Sequence, residues 1–255
     1  MSESCLATKL SHYIQLRQED RDHLARLEEK EQEHGKGDVI HTEADRETRL
    51  FVVKKGWLTG SMTLPDGRRV VTRIYHPGDI IGFPDIALDH ATTTIRAVES
   101  GELCPFRRER LDSVFKTSPR LTALLFSIAL REQVMFMDLL KANSRMSARE
   151  RMAYLICDLR CRLRITNPGM GMELRLPLSQ ADIADHLGLT NVYVSRTLTA
   201  LVNDGYVART EKGVLVRDEQ RLHALADYEN RHSKLDTSWF PNASDIRDPE
   251  GKKLS

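Results

Sequence analysis

Between Gly37 and about Phe106, apolar residues fall in short runs broken by turn residues: VIHT, LFVVKKG, WLTGSMTL, RRVVTRIY, DIIGF, ATTTIRAV and ELCPF. Runs of this length, rich in β-branched side chains, predict strands, and their even spacing predicts a sandwich or roll. Two turns have a mechanism in the sequence, Pro65-Asp66-Gly67 and His76-Pro77-Gly78-Asp79, where Pro presets φ and Gly accepts φ > 0. Ahead of this block, Glu19 to Glu33 carries a charged helical pattern with Leu24 and Leu27 on one side, which reads as a lid or connector.

The pattern then changes period. Ser118-Pro119 offers an N-cap followed by proline at the first helical position, and neither glycine nor proline recurs before Pro168. Steps of four and three from Leu121 select Leu125, Ile128, Glu132, Met135, Leu139, Ala142 and Met146, an apolar seam broken only by Glu132. A helix over 118–143 would be about 39 Å long at 1.5 Å per residue, more than a roll needs to cover it, so the seam predicts a dimer contact through Leu121, Leu125, Ile128, Met135 and Leu139. A second helix follows from about Ser147, with Met152, Leu155, Ile156, Leu159 and Leu163 on one face and arginines on the other, ending at Asn167-Pro168-Gly169.

From Leu178 to Val216 the signals are local and ordered. Ser179 reads as an N-cap, Ile183, Ala184 and Leu187 as the inner face of a short helix, and Gly188 as the turn residue. Thr190 caps a second helix whose Val194, Leu198 and Leu201 face inward, leaving Asn191, Val192, Ser195, Arg196 and Thr199 outside. Gly205 to Arg209 and Gly213 to Val216 then read as two strands around Glu211-Lys212. Helix, turn, helix and β-hairpin in this order predict a winged helix-turn-helix, whose exposed second-helix positions enter a DNA major groove. The DNA-contacting set expected from this register is Ser179, Gln180, Thr190, Asn191, Val192, Tyr193, Ser195, Arg196, Thr199 and, on the wing, Lys212.

Charge agrees once it is divided along the chain. The formal net charge of +1 is uninformative, but residues 145–217 carry 11 Lys and Arg against 7 Asp and Glu, and ten of the eleven are arginine, the side chain suited to bidentate contact with guanine or phosphate. With 255 residues, 40% of them hydrophobic and 29% charged, the chain is an ordinary globular protein of about two domains. No apolar run approaches a membrane span and polar residues interrupt the first sixteen positions, so a cytoplasmic location is expected. Cys5, Cys104, Cys157 and Cys161 form no CxxC pair, and reduced thiols are expected.

The whole arrangement resembles the cyclic-AMP receptor protein / fumarate-nitrate reduction regulator (CRP/FNR) family of bacterial transcription factors, over about residues 10–228. LFVVKKGWLTGSMTLPDGRRVVTRIYHPGDIIG and LPLSQADIADHLGLTNVYVSRTLTALVNDGYV carry the resemblance. It implies an α+β chain: an N-terminal β-roll (cupin-like, cyclic-nucleotide-binding-domain fold) with its leading helix over 1–117, a long dimerisation helix over 118–146, a C-terminal winged helix-turn-helix over 147–228 and a tail over 229–255. It also implies a homodimer on palindromic double-stranded DNA, working through RNA polymerase.

Departures from the family sharpen the reading. Cyclic-nucleotide-binding members place Gly-Glu after the PGD turn and Arg-Ser or Arg-Thr about ten residues later, where this chain has Gly82-Phe83 and Ala91-Thr92. A ring and a methyl leave a cyclic phosphate without a counter-charge, so cyclic AMP is not expected to bind. Iron–sulfur members need four thiolates, and the N-terminus offers only Cys5, so no cofactor and no metal is expected. Cys104 reads first as a small buried hydrophobe, and Cys157 and Cys161, four apart on one helix face, as structural, with a redox role for Cys104, Cys157 or Cys161 as the alternative. His76, His90 and His186 read as solvated or capping residues. Val192 stands where many relatives have a cytosine-reading Glu, and Arg196 matches the family's base-reading arginine. A redox or small-molecule sensor whose output is protein binding is the alternative function, with the effector unknown. No GxSxG, Walker A, HExxH or paired-Cys zinc motif supports an enzyme, and no catalytic residue is expected. The tail from about His232 reads as weakly ordered, with Trp239-Phe240 able to dock on the body.

Overall fold

Two short helices precede the strands, α1 (Cys5–Ser11) and α2 (Gln18–Leu27), in a computed structural model that describes residues 4–46, 49–232 and 235–241. The single helix expected from Glu19 to Glu33 thus stops at Leu27, because Glu28 is drawn away to serve α1. Its carboxylate accepts the backbone N–H groups of Cys5 at 3.1 Å and Leu6 at 2.6 Å and the Ser4 hydroxyl at 3.0 Å, satisfying donors that a helix start leaves without partners.

The expected roll is present. Strands β1 (Gln32–His34), β2 (Val39–His41), β3 (Arg49–Lys55), β4 (Leu58–Thr63), β5 (Arg69–Tyr75), β6 (Ile80–Ile81), β7 (Thr94–Ala97) and β8 (Gly101–Arg107) form two antiparallel sheets, β1-β8-β3-β6 and β2-β7-β4-β5. Leu58, Ile95 and Ala97 of one sheet meet Phe51, Val53 and Leu103 of the other between them. The Pro65-Asp66-Gly67 turn closes the β4–β5 hairpin, with the Gly67 N–H donating to the Leu64 carbonyl at 2.9 Å. Behind the first sheet, Leu6, Leu10, Leu24 and Leu27 pack with Val52, Phe106 and Val114, the last from helix α3 (Leu111–Thr117). Against the reduced thiols expected for all four cysteines, α1 brings Cys5 onto β8, where it is disulfide-bonded to Cys104 across 99 residues. Cys157 and Cys161 are free and buried.

Helix α4 (Pro119–Arg145) starts where Ser118 caps it, the hydroxyl accepting the Leu121 N–H at 3.4 Å. The seam expected on it is corrected by the face it buries. Leu121, Leu125 and Ile128 are 0%, 5% and 3% exposed and belong to the core shared with α1–α3 of the same chain, while Met135 and Leu139 are half-buried. The helix lies along its own domain, so this stripe is consumed there; the exposed apolar row is Phe126, Leu130, Met137 and Leu140, with Phe136 beside it.

Helix α5 (Ala148–Thr166) begins in a capping box of Ser147 and Glu150 and buries Met152, Leu155, Ile156 and Leu159 as expected. Its arginines are not all on a solvent face: Arg160 and Arg162 are buried. Strand β9 (Glu173–Arg175), helices α6 (Gln180–Leu187) and α7 (Asn191–Asn203), strands β10 (Val207–Arg209) and β11 (Gly213–Val216) and helix α8 (Glu219–Leu225) complete the C-terminal part. The wing has three strands, β10-β11-β9, where the expected hairpin has two. After α8 the chain runs back over the body: Arg231 Nε donates to Asp138 at 2.6 Å, His232 Nε2 lies 2.8 Å from Asp158, and Phe240 is buried in the α1–α4 core while Trp239 stays exposed. The rest of the expected tail, residues 233–234 and 242–255, lies outside the described residues. Among the described residues no helix is long and apolar enough to cross a membrane.

Candidate nucleic-acid interface

Local chemistry sets α6 and α7. Ser179 and Asp182 close a capping box, the Asp182 N–H donating to Ser179 Oγ at 3.0 Å and the Ser179 N–H to Asp182 Oδ2 at 3.1 Å. The expected αL residue is Gly188, at φ 62° and ψ 41°. Thr190 Oγ1 accepts the Tyr193 N–H at 3.3 Å and starts α7. Val194, Thr197 and Leu201 turn into the core with Ile183, Ala184 and Leu187. The last turn of α6 is held from the neighbouring helices, Arg151 donating to the Leu187 carbonyl at 2.7 Å and Asn143 to that of His186 at 3.3 Å.

The outer face follows the expected register. Asn191, Val192, Tyr193, Arg196 and Thr199 are exposed and Ser195 is half-buried, so Val192, Arg196 and Thr199, at steps of four and three, share one face. Arg196 has no ion pair among the described residues. Lys212 is exposed at the wing turn, where its carbonyl accepts the Leu176 N–H at 3.0 Å and ties the hairpin to the approach of α6. Gln180 and Thr190 are exposed at the helix starts; Ser179 is exposed too, although its hydroxyl is engaged by Asp182.

Nothing in the sequence marks how this unit joins the roll. Arg69 of β5 donates to Asp182 at 2.7 Å and to Asp185 at 2.8 Å, both on α6. His186 Nδ1 lies 2.9 Å from the Val71 carbonyl, so that nitrogen carries the proton, and burial lowers the ring's pKa. Deeper in, Arg162 donates to the Ile74 carbonyl at 2.7 Å, to Asp79 at 2.5 Å and to Asp158 at 3.2 Å. Arg162 is the strongest opposing influence on burial at Asp79, and with the neighbouring charges it holds that carboxyl well below its ordinary pKa. His76 belongs to this network and is neither the solvated nor the capping residue expected: it is 1% exposed, packs against the Trp57 ring and has its pKa lowered to about 3 by burial.

A cavity of 390 Å³ opens between the roll and α4, lined by Phe83, Tyr75, Arg73, Thr92, Glu132 and Phe136 among others. Asp85 beside it accepts the Thr92 N–H at 3.0 Å and hydroxyl at 2.6 Å. Arg73 is ion-paired with Glu132 of α4, and Lys9 stands 3.9 Å from Asp79. Elsewhere, Cys161, Glu219 and His223 bring ligand atoms within 4.8 Å of one another, but Arg164 holds both Glu219 oxygens at 2.6 and 2.9 Å, a setting that repels a cation. Burial pushes the Cys161 thiol up to about 11 and Cys157 higher still, away from the reactive thiolate, which favours their structural reading.

A roll, a long helix and a winged helix-turn-helix with an exposed arginine-bearing second helix define a transcription regulator with a DNA-binding domain. Residues 31–118 match the cyclic nucleotide-binding domain and residues 150–225 the Crp-like helix-turn-helix domain. The chain is 32% identical over 190 residues to the nitrogen fixation regulation protein FixK of Bradyrhizobium diazoefficiens, covering 74% of this chain and 79% of the relative. It is 25% identical over 228 residues to the fumarate and nitrate reduction regulatory protein of Shigella dysenteriae, covering 89% and 90%. The structure of FixK2 from Bradyrhizobium japonicum superposes with a TM-score of 0.70 at 25% identity, over 77% of this chain and 96% of that one. The protein belongs to the CRP/FNR family of transcription regulators.

Proposed function

We propose that the chain acts in the cytoplasm as a homodimer that binds palindromic promoter sites and works through RNA polymerase. The observation that carries the reading is Arg196, exposed and without an ion pair among the described residues on the face that also bears Val192 and Thr199. A guanidinium placed so can pair bidentately with guanine O6 and N7, and Val192 can touch a thymine methyl. Dimerisation is supported by the exposed row on α4, Phe126, Leu130, Met137 and Leu140, whose steps of four, seven and three fit a coiled-coil seam on a 27-residue helix. A second copy covers that row, and two-fold symmetry then sets half-sites about 34–36 Å apart.

Cyclic AMP is not the signal in this reading, because the cavity cations are engaged, Arg73 by Glu132 and Lys9 near Asp79, and the positions of the family's Glu and Arg hold Phe83 and Ala91. Calorimetry with cyclic AMP checks this; micromolar affinity contradicts it. Selection of bound duplexes from random DNA tests the function. A two-fold repeat is expected among them, and Arg196→Ala should cost about 1–3 kcal/mol per half-site and relax the preference at one base pair. An equal loss on specific and non-specific DNA would make Arg196 a backbone contact and defeat the helix register.

A further inference from the structure

Strand β10 ends on Arg209, and its Nη2 donates to Thr199 Oγ1 on the recognition helix at 3.1 Å. The Thr199 hydroxyl spends its own proton on the Ser195 carbonyl at 2.9 Å, so its lone pairs are turned to accept from Arg209. The contact therefore holds the guanidinium beside the outer face of α7, one helical step of three residues beyond Arg196, or about 4.5 Å along the axis. Two other arginines of the domain are neutralised, Arg149 by Asp204 and Arg175 by Glu99. Arg209 is exposed and, among the described residues, its guanidinium has only this neutral hydroxyl as a hydrogen-bond partner. A charge held in place by a neutral acceptor keeps its full attraction for an anion while already having lost part of its conformational freedom.

We propose that Arg209 is a DNA-phosphate contact, pre-positioned by Thr199, which rests on the DNA-binding reading above. Phosphate is favoured over base because recognition helices read bases from their N-terminal residues, whereas Thr199 is in the third turn of α7, towards the groove wall. Arg209 and Lys212 then bracket the wing turn as two cations with different anchoring, one fixed to the recognition helix and one at the tip.

The test uses the full chain, a duplex selected from random DNA and an unrelated duplex of equal length, titrated at several salt concentrations. Arg209→Ala should weaken both duplexes by the same factor, roughly tenfold for the two contacts of a dimer, and reduce the salt slope by about 1.8. Arg209→Lys should keep most of the slope. Thr199→Val should give a smaller loss with the slope retained, because the charge remains and only its placement is freed. Circular dichroism melting of each variant excludes unfolding as the cause. An unchanged slope in Arg209→Ala overturns the proposal, as does a loss confined to the selected duplex, which would mean base reading. If Arg196→Ala relaxes specificity while Arg209→Ala does nothing, this inference fails and the proposed function stands; if the wild type binds neither duplex, both fail.

Discussion

Arg69 of the roll donates to Asp182 of α6 at 2.7 Å across 113 residues of chain, and its Nε reaches Asp185 at 2.8 Å. Asp182 also caps α6 through Ser179, so one carboxylate both starts the first helix of the DNA-binding unit and fastens it to the β4–β5 hairpin. The domains are thereby coupled through a half-buried pair, in which the guanidinium keeps its donors matched on two acceptors.

Replacing Arg69 with Ala should leave two carboxylates facing an empty hairpin and cost about 1–3 kcal/mol, between the values for exposed and fully buried pairs. Hydrogen exchange of α6 amides should accelerate more than that of α5. Unchanged α6 protection would show that the hairpin contact does not hold the unit.

The two faces of α4 separate folding from assembly. Leu130→Asp or Met137→Asp should lower the mass measured by light scattering from dimer to monomer while preserving the thermal transition. Ile128→Asp, which puts a charge into the α1–α4 core, should instead abolish cooperative unfolding. A folded monomer from Ile128→Asp would restore the seam through Leu121, Leu125 and Ile128.

Acid sensitivity follows from His76. Burial depresses its pKa to about 3, Asp79 opposing and Arg162 reinforcing the shift, so the folded state keeps the ring neutral. The unfolded chain takes up that proton near pH 6.5. The resulting stability is complete above about pH 6.5 and is lost progressively as pH falls towards 3, with a slope of about one proton. Chemical denaturation of His76→Phe between pH 7 and 4 should show a shallower dependence than the wild type; equal slopes would remove His76 from the acid response.

Thiol labelling distinguishes the two cysteine pairs. In denaturant without reductant, Cys157 and Cys161 should react while Cys5 and Cys104 do not, and reduction should expose all four. In the native protein, burial and raised pKa values should make Cys157 and Cys161 slow to alkylate near neutral pH. Rapid native labelling of either would reopen the oxidation-sensing alternative.

The helix-turn-helix was legible in the sequence because every decision in it is local. Ser179 and Asp182 are three residues apart, Gly188 alone supplies the αL turn, and Thr190 caps within its own first turn, so neighbours in sequence settle the geometry. The strands of the roll were legible for the same reason, through β-branched runs and the Pro65-Asp66-Gly67 turn. The face of α4 was not, because Leu121, Leu125 and Ile128, at steps of four and three, and the row from Phe126 to Leu140, at steps of four, seven and three, both fit a heptad pattern, and only the presence of α1–α3 decides which is buried. Long-range pairs lay equally beyond reach. Cys5 meets Cys104, Arg69 meets Asp182 and Arg162 meets Asp79 over separations of 99, 113 and 83 residues. Charge and thiol chemistry offer many partners at such distances, and the choice among them is made when packing of the apolar faces brings two particular side chains together.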